Sequence, residues 1–483
     1  MNTLLSDRPF RGADSRDLRS VAQRAFARAA GAPLVEGNAV RLLLDAAENY
    51  PAWLAAIHDA RSVILFENYI IKDDVTGRIF RDALTERARA GVKVRVMQDW
   101  LGSITTRRKF WQPLVNAGGI VRIHNPARWD SPLAWMSRDH RKSLVVDARV
   151  GFVSGLCVSD VWNGNPERNI EPWRDTGVEL RGPVCADLVR AFAQVWDENG
   201  RPLSADLLEI PESYPVGETA VRVLATAPNL AGVYRLDLLI ASMAVRRLWL
   251  TDAYFAGVPA YVQALRSAAH DGVDVRILVP GGSDLPWLRP LSTAGYRPLL
   301  ESGVRVFEWN GSMLHAKTAV ADGRWARVGS TNLNIASWLN NWELDVAIED
   351  DAFAAQMEAA YERDLQHATE VVLRKRKRIR LPGAKEDQRS RPGGGSISRA
   401  AAGAIRLGRT VGAAVLNHRV LGPAEAKPLA LSALVPLVLA AVAIFFPAVF
   451  AWPVALVLVW FGVTLLLRAW RLHDADAKKE DRP

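Results

Sequence analysis

At 483 residues the chain is too long for one compact domain and long enough for two large cores. Its 49% hydrophobic and 23% charged residues exclude a chain that is mostly unfolded, and its two cysteines, Cys157 and Cys185, lack the spacing of a disulfide framework or a zinc site. The formal net charge of +9 favours anionic partners, either nucleic acid or an anionic membrane surface.

Residues 1–35 form an N-terminal extension that carries charges throughout and has no apolar core segment, so it does not read as a signal peptide. Within it, 15–30 reads as a basic amphipathic helix facing solvent. Residues 36–205 and 217–370 follow one plan twice, separated by a linker at 206–216 that contains Pro211 and Pro215. Each half has a hydrophobic strand, ARSVILFENYI at 60–70 and VRRLWLTDAYF at 245–255. Each then has a helical stretch that ends at a glycine, Gly91 or Gly272, followed by the alternating pattern V-x-V-R. Strand, helix and strand in that order, twice over, predict an α/β fold: two similar halves with mixed sheets packed face to face.

Both halves then reach the same short constellation, H-x-K-x4-D: His140, Lys142 and Asp147 in the first, His315, Lys317 and Asp322 in the second. One such match is weak; two in matching surroundings are strong. Asp322-Gly323 between alternating apolar runs is a hairpin signal. A turn there places Ser330 opposite His315, with Asn332 just beyond, so that His315, Lys317, Ser330 and Asn332 converge. The first half turns at Asp147-Ala148 and places Gly155 opposite His140. Asp147 and Asp322 complete the two catalytic motifs but fall at the turns, a structural position rather than a reacting one. Downstream, Asp175 and Glu343 each open an apolar strand; they are the candidate carboxylates that would fix an imidazole tautomer and support an imidazolium.

These residues suit phosphoryl or phosphatidyl transfer. One histidine attacks phosphorus and forms a phosphohistidine, which splits one hard displacement into two easier ones. The other protonates the leaving alkoxide and then deprotonates the incoming alcohol or water. Two lysines with Ser330 and Asn332 hold the phosphate oxygens. The scheme requires no metal and no cofactor.

With the segments VKVRVMQDWLGS, DHRKSLVVD, PWRDTGVELRGP, VDVRILVPGGSD, MLHAKTAVADG, VGSTNLN and NNWELD, the chain resembles the phospholipase D superfamily over about residues 36–370, and most of all its bacterial cardiolipin synthase branch. The resemblance implies His140 as nucleophile, His315 as general acid and base, and Lys142, Lys317 and Asn332 as phosphate ligands. It implies transfer of a phosphatidyl group from one phosphatidylglycerol to another, giving cardiolipin and glycerol. Three positions depart from the family pattern. Cys157 stands where an amide donor is usual, Asp139 replaces the usual asparagine and adds negative charge near a phosphate site, and Asn334 stands where aspartate is common. The rival readings are a phospholipase D-type phosphodiesterase that uses water, a nuclease of the same superfamily, and an inactive membrane scaffold.

Residues 428–467 contain no charged side chain and are long enough for two spans of about 20 residues, with Pro447 and Pro453 bracketing a tight turn. Basic residues flank both outer ends, Arg374 to Arg380 within the basic linker at 371–427 and Arg468, Arg471, Lys478 and Lys479 in the tail at 468–483; the turn has none. The positive-inside rule then predicts a transmembrane hairpin in a bacterial inner membrane, with the catalytic halves on the cytoplasmic side. This lipid anchor argues against nucleic acid as the partner. The stretch 398–420 reads either as a basic helix lying on the anionic surface or as a solvated linker.

Overall fold

The computed structural model describes residues 15–126, 137–208, 214–284 and 289–373, with scattered positions between 444 and 466. The first half supplies β1 (Val35–Leu44), β2 (Val63–Asn68), β3 (Lys93–Asp99), β4 (Ile120–His124), β5 (Lys142–Val146), β6 (Val150–Ser154) and β7 (Thr176–Arg181). The second supplies β8 (Thr219–Thr226), β9 (Arg247–Thr251), β10 (Asp274–Pro280), β11 (Arg305–Trp309), β12 (Thr318–Ala321), β13 (Trp325–Gly329), β14 (Glu343–Glu349) and β15 (Ala368–Val371).

The expectation of two separate sheets needs correction. The strands run in one hydrogen-bonded order, β15-β11-β10-β9-β12-β13-β14-β8-β1-β7-β6-β5-β2-β3-β4. Read outward from the β8–β1 joint, the two arms repeat the same sequence of strand roles. In each arm three strands are parallel, β2 with β3 and β4, and β9 with β10 and β11; the others pair antiparallel. The joint is short, with Val35 opposite Val221 and Asn38 opposite Thr219 across an irregularity. It satisfies backbone groups that two isolated sheets would leave on open edges.

Alternation along the strands sorts side chains into layers. In β5, Leu144 and Val146 join a first-half core with Trp53, Phe66 and Phe80, while Val145 between them points the other way. In β12, Ala319 and Ala321 face a second-half core with Leu236, Tyr261 and Leu265, and Val320 faces away. Val145 and Val320 meet in a middle core shared by both halves, built also from Val153, Val178, Val328 and Val346. The helices Cys185–Glu198 and Asp351–Leu365 contribute Phe192, Trp196, Phe353 and Tyr361 to this core. The outer cores lie under helices Asp45–Asp59 and Val75–Arg89 on one side, and Gly232–Met243 and Pro259–His270 on the other. Phe66 is fully buried and stacks on Phe80 at 6.1 Å, so Phe66→Ala would cost about 3–5 kcal/mol.

Gly91 and Gly272 follow the helices Val75–Arg89 and Pro259–His270 with φ of +89° and +92°, the left-handed conformation expected from the sequence. The helix Ser15–Ala30 forms, but it is not simply a solvated extension. Phe26 and Ala30 pack against the second-half core, and Gln23 donates to Glu349. No helix among the described residues is long and apolar enough to cross a membrane. The hairpin expected at 428–467 lies mostly outside the described residues, and the basic linker beyond Leu373 and the tail at 468–483 lie wholly outside them.

Candidate active site

The two motif hairpins are β5–β6 and β12–β13. The turns fall where the sequence placed them: Asp147 and Ala148 have φ of 53° and 52°, and Asp322 and Gly323 have φ of 54° and 69°. The register differs by one. Arg149 and Arg324 are extra residues on the return side, so pairing resumes at Val146–Val150 and Ala321–Trp325. This leaves Ser330 one position short of His315, level with Ala316. Its hydroxyl donates to Glu343 Oε2 at 2.6 Å and accepts from Leu344 N at 2.9 Å, so Ser330 braces a carboxylate instead of holding phosphate.

The motif aspartates lie at the far ends of their strands. Asp147 accepts from the backbone N–H groups of Arg61, Ser62 and Val63, each at 2.8 Å, and from the Ser62 hydroxyl. Asp322 accepts from the N–H groups of Val245, Arg246 and Arg247 at 2.7–2.9 Å. Each carboxylate pins its hairpin to the strand beside it, β2 or β9. Burial opposes ionisation, but these donors outweigh it and hold both carboxyls below the usual range. Their grouping with the catalytic residues is therefore corrected: neither lines the cavity that holds the histidines.

That cavity, of about 490 Å³, is walled by His140, His315, Tyr69, Tyr254, Arg138 and Asn332, with Trp162, Trp173, Ile335 and Asn341. The histidines take their carboxylates crosswise. His140 Nδ1 lies 2.9 Å from Glu343 Oε2, and His315 Nδ1 lies 2.8 Å from Asp175 Oδ2. Both carboxylates are fully buried and well supplied with donors. Asn341 and Ser330 donate to Glu343; Trp162 Nε1 and Thr176 N donate to Asp175. Burial pushes each acid up, but the adjacent imidazole and the lysines prevail, and both stay below the usual range.

Burial drives the imidazoles the other way. His140 is lowered despite Glu343, with Lys142 adding to the effect, and His315 is pushed down to about 3 by burial and then Lys317. These shifts favour neutral imidazoles beside ionised carboxylates at rest. A carboxylate only accepts, so Nδ1 carries the proton in each ring and Nε2 keeps its lone pair. Lys142 and Lys317 are buried and donate to the carbonyls of His140 and His315 respectively. Their ammonium groups lie 5.2 Å and 5.7 Å from the ring centres of Tyr69 and Tyr254. Burial, with Lys142 nearby, lowers Lys317 to about 8.

Two expected departures look different in three dimensions. Asp139 is fully buried and is not among the residues that wall the cavity; burial and then Glu67 raise its carboxyl well above the usual range. Cys157 is fully buried and does not line the cavity; burial raises its thiol. Asn334 caps the helix Ile335–Leu339 by accepting from Ser337 N at 3.0 Å.

Reading of the sequence missed Tyr69, Tyr254, Trp162, Trp173 and Arg138. The tyrosines carried a signal: they occupy equivalent places just after β2 and β9. Their rings meet His140 and His315 edge-on at 4.9 Å and 5.8 Å. Arg138 ion-pairs with Asp99 at 3.2 Å at the cavity wall.

Two alike α/β halves, each sending the histidine of an H-x-K motif to one cavity with the lysine buried behind it, define a phosphatidyltransferase of the phospholipase D superfamily. Residues 239–365 match the family model described as "Cardiolipin synthase, PLD-like domain". Over 358 residues the chain is 34% identical to cardiolipin synthase A of Pseudomonas putida (strain W619), covering 72% of this chain and 73% of that protein. It is 33% identical over 364 residues to cardiolipin synthase A of Pseudomonas aeruginosa (strain LESB58), covering 74% and 73%. The fold is similar to the crystal structure of phosphatidylserine synthase from Haemophilus influenzae Rd KW20, with a TM-score of 0.58 and 16% identity over 73% of this chain and 92% of that one. The chain belongs to the cardiolipin synthase family.

Proposed function

We propose that the protein joins two phosphatidylglycerol molecules into cardiolipin and releases glycerol. The observation that carries this reading is the pair of carboxylate-bound histidines on one cavity. His140 Nε2 attacks the phosphorus of the first lipid, and the bond from phosphorus to the glycerol headgroup oxygen breaks. The negative phosphodiester, once bound, favours protonation of His315, which passes its Nε2 proton to the departing alkoxide. A hydroxyl of the second phosphatidylglycerol then attacks the phosphohistidine, gives its proton to His315 and frees His140. Lys142, Lys317 and Asn332 stabilise charge on the phosphate oxygens. Trp162, Trp173, Tyr69, Tyr254 and Ile335 give the cavity a largely apolar wall, which favours a lipid alcohol over water as acceptor.

The uncharged segment 428–467 serves as a membrane hairpin, and the basic residues on both flanks keep the catalytic body on the cytoplasmic side. The test is mass spectrometry of lipids after incubating the full chain with phosphatidylglycerol. Cardiolipin with glycerol is the expected result, lost in His140→Ala. Phosphatidic acid with glycerol would make water the acceptor and overturn the synthase reading.

A further inference from the structure

Five aliphatic side chains stand in solvent at the end of the molecule where the histidine cavity opens. Val75 is 57% exposed, Ile79 50%, Leu101 36%, Ile104 56% and Ile335 55%. Their common location follows from the topology. Parallel β2 and β3 end at the same edge. The segment after β2 carries Tyr69 and Ile70 of the cavity wall, and the segment after β3 is the loop with Leu101 and Ile104. That loop is tied to the wall: Ser103 Oγ donates to Tyr69 O at 3.1 Å and accepts from Ile71 N at 3.0 Å, and Thr106 Oγ1 donates to Ile71 O. Gly102 packs so closely that a Cβ there would lie 2.2 Å from Tyr69 O.

Val75 and Ile79 sit one turn apart on one face of helix Val75–Arg89. The start of this helix is bound to Asp160, in the short helix that carries Trp162 of the cavity wall, through Thr76 N and Oγ1 at 3.0 Å and 2.9 Å. Ile335 lines the cavity from the other half. Just beyond Ile104, the consecutive cations Arg107, Arg108 and Lys109 are exposed, and their side chains have no hydrogen-bond or ion-pair partner among the described residues.

We infer that this face rests on an anionic bilayer, with Leu101 and Ile104 among the acyl chains and Arg107, Arg108 and Lys109 on the lipid phosphates. Aliphatic tips next to exposed cations match the two layers of an anionic membrane surface, apolar below and negative above. The face then holds the cavity mouth against the leaflet, so a lipid headgroup enters without its chains crossing water. Only the identity of the entering lipid rests on the proposed reaction.

The first test labels Ile104→Cys, in the full chain reconstituted into vesicles, with an environment-sensitive nitrobenzoxadiazole dye. Cys157 and Cys185 are both fully buried and do not compete for the label. A blue-shifted, brighter emission in phosphatidylglycerol-containing vesicles, weaker in pure phosphatidylcholine, is expected. Arg149→Cys, on the motif hairpin at the other end of β5, should keep water-like emission. Water-like emission at position 104, or equal shifts at both positions, overturns the inference. The second test compares substrates: Leu101→Asp with Ile104→Asp should lower turnover of bilayer phosphatidylglycerol about tenfold and leave that of a monomeric short-chain analogue unchanged. Equal effects on both substrates would also overturn it. If the wild type turned over neither lipid, the proposed reaction would fail while the dye result would still decide the membrane face.

Discussion

His140 takes its carboxylate from Glu343, at 2.9 Å, from the opposite half of the chain. Asp175 returns the relation by binding His315 at 2.8 Å. Each half therefore sets the tautomer of a histidine that belongs to the other.

This crossing separates the two histidine roles. Glu343→Gln leaves the His140 ring without its anionic partner, and turnover should fall about 10²- to 10⁴-fold. Asp175→Asn should slow release of glycerol, a poor leaving group, by a similar factor. It should have much less effect on a phosphatidyl ester of p-nitrophenol, which departs without a proton. Steady-state rates on both substrates check the assignment; if Glu343→Gln spared the nitrophenyl ester while Asp175→Asn did not, the roles of the two histidines would be exchanged.

The resting charges fix a pH profile. His315 is pushed to about 3, so it is neutral in the free enzyme at pH 6, and burial lowers His140 as well. The acid limb of kcat/KM should then lie below the ordinary histidine value of 6.5. On the alkaline side Lys317, lowered to about 8, loses its charge, and kcat/KM should fall above that pH. For His315 alone, the unfolded imidazole binds a proton between about 3 and 6.5 that the folded one does not, so its contribution to stability decreases as pH falls through that window; Glu67 and Asp252, each raised to about 7, and Asp237, raised to about 6, act in the opposite sense. A pH–rate profile measures the first effect, and urea unfolding of the wild type against His315→Ala at pH 5 and 7 isolates the second.

The hairpin aspartates should behave as braces. Asp147→Asn or Asp322→Asn weakens the hydrogen bonds to exposed and half-buried backbone N–H groups and should cost about 0.5–1.5 kcal/mol, with activity per folded molecule largely retained. The folded pKa of each is depressed, so the wild-type contribution is complete above the usual 3.8 and is lost as pH falls below it. The amide variants should lack that acid-side dependence. Thermal midpoints against pH supply the measurement, and abolished turnover in a fully folded variant would contradict the brace.

Cys157 should be dispensable for chemistry. Its thiol is fully buried, raised by that burial, and absent from the cavity wall. Iodoacetamide should leave the native enzyme active, and Cys157→Ala should retain turnover within about threefold, since a small buried side chain is exchanged for a smaller one. Covalent capture of lipid on Cys157 would refute this.

The repeat, the glycine-ended helices, the two turns and the histidine motifs were legible in the sequence because each rests on local chemistry: a left-handed glycine, an Asp-Gly turn, alternation along a strand. What lay beyond reach was set by pairing at a distance. Nothing local reveals that Arg149 and Arg324 each add a residue after the turn, which moves Ser330 from phosphate to Glu343. Nothing local reveals that β1 and β8 join two arms into one sheet, or that the carboxylates cross. Asp139 misled for a related reason: the sequence puts it beside His140, but the fold buries its side chain away from the cavity wall, where burial and Glu67 raise its carboxyl.

The exchange of carboxylates also constrains how the two copies of the repeat can drift apart. A substitution at position 175 changes the basicity of a ring in the later copy, and one at 343 does so in the earlier copy. Neither copy can be retuned alone, and a map of harmful substitutions drawn copy by copy would assign each defect to the wrong histidine. The present difference, aspartate for one ring and glutamate for the other, is the sort of divergence such a coupled pair permits: the length of the arm changes and the charge stays.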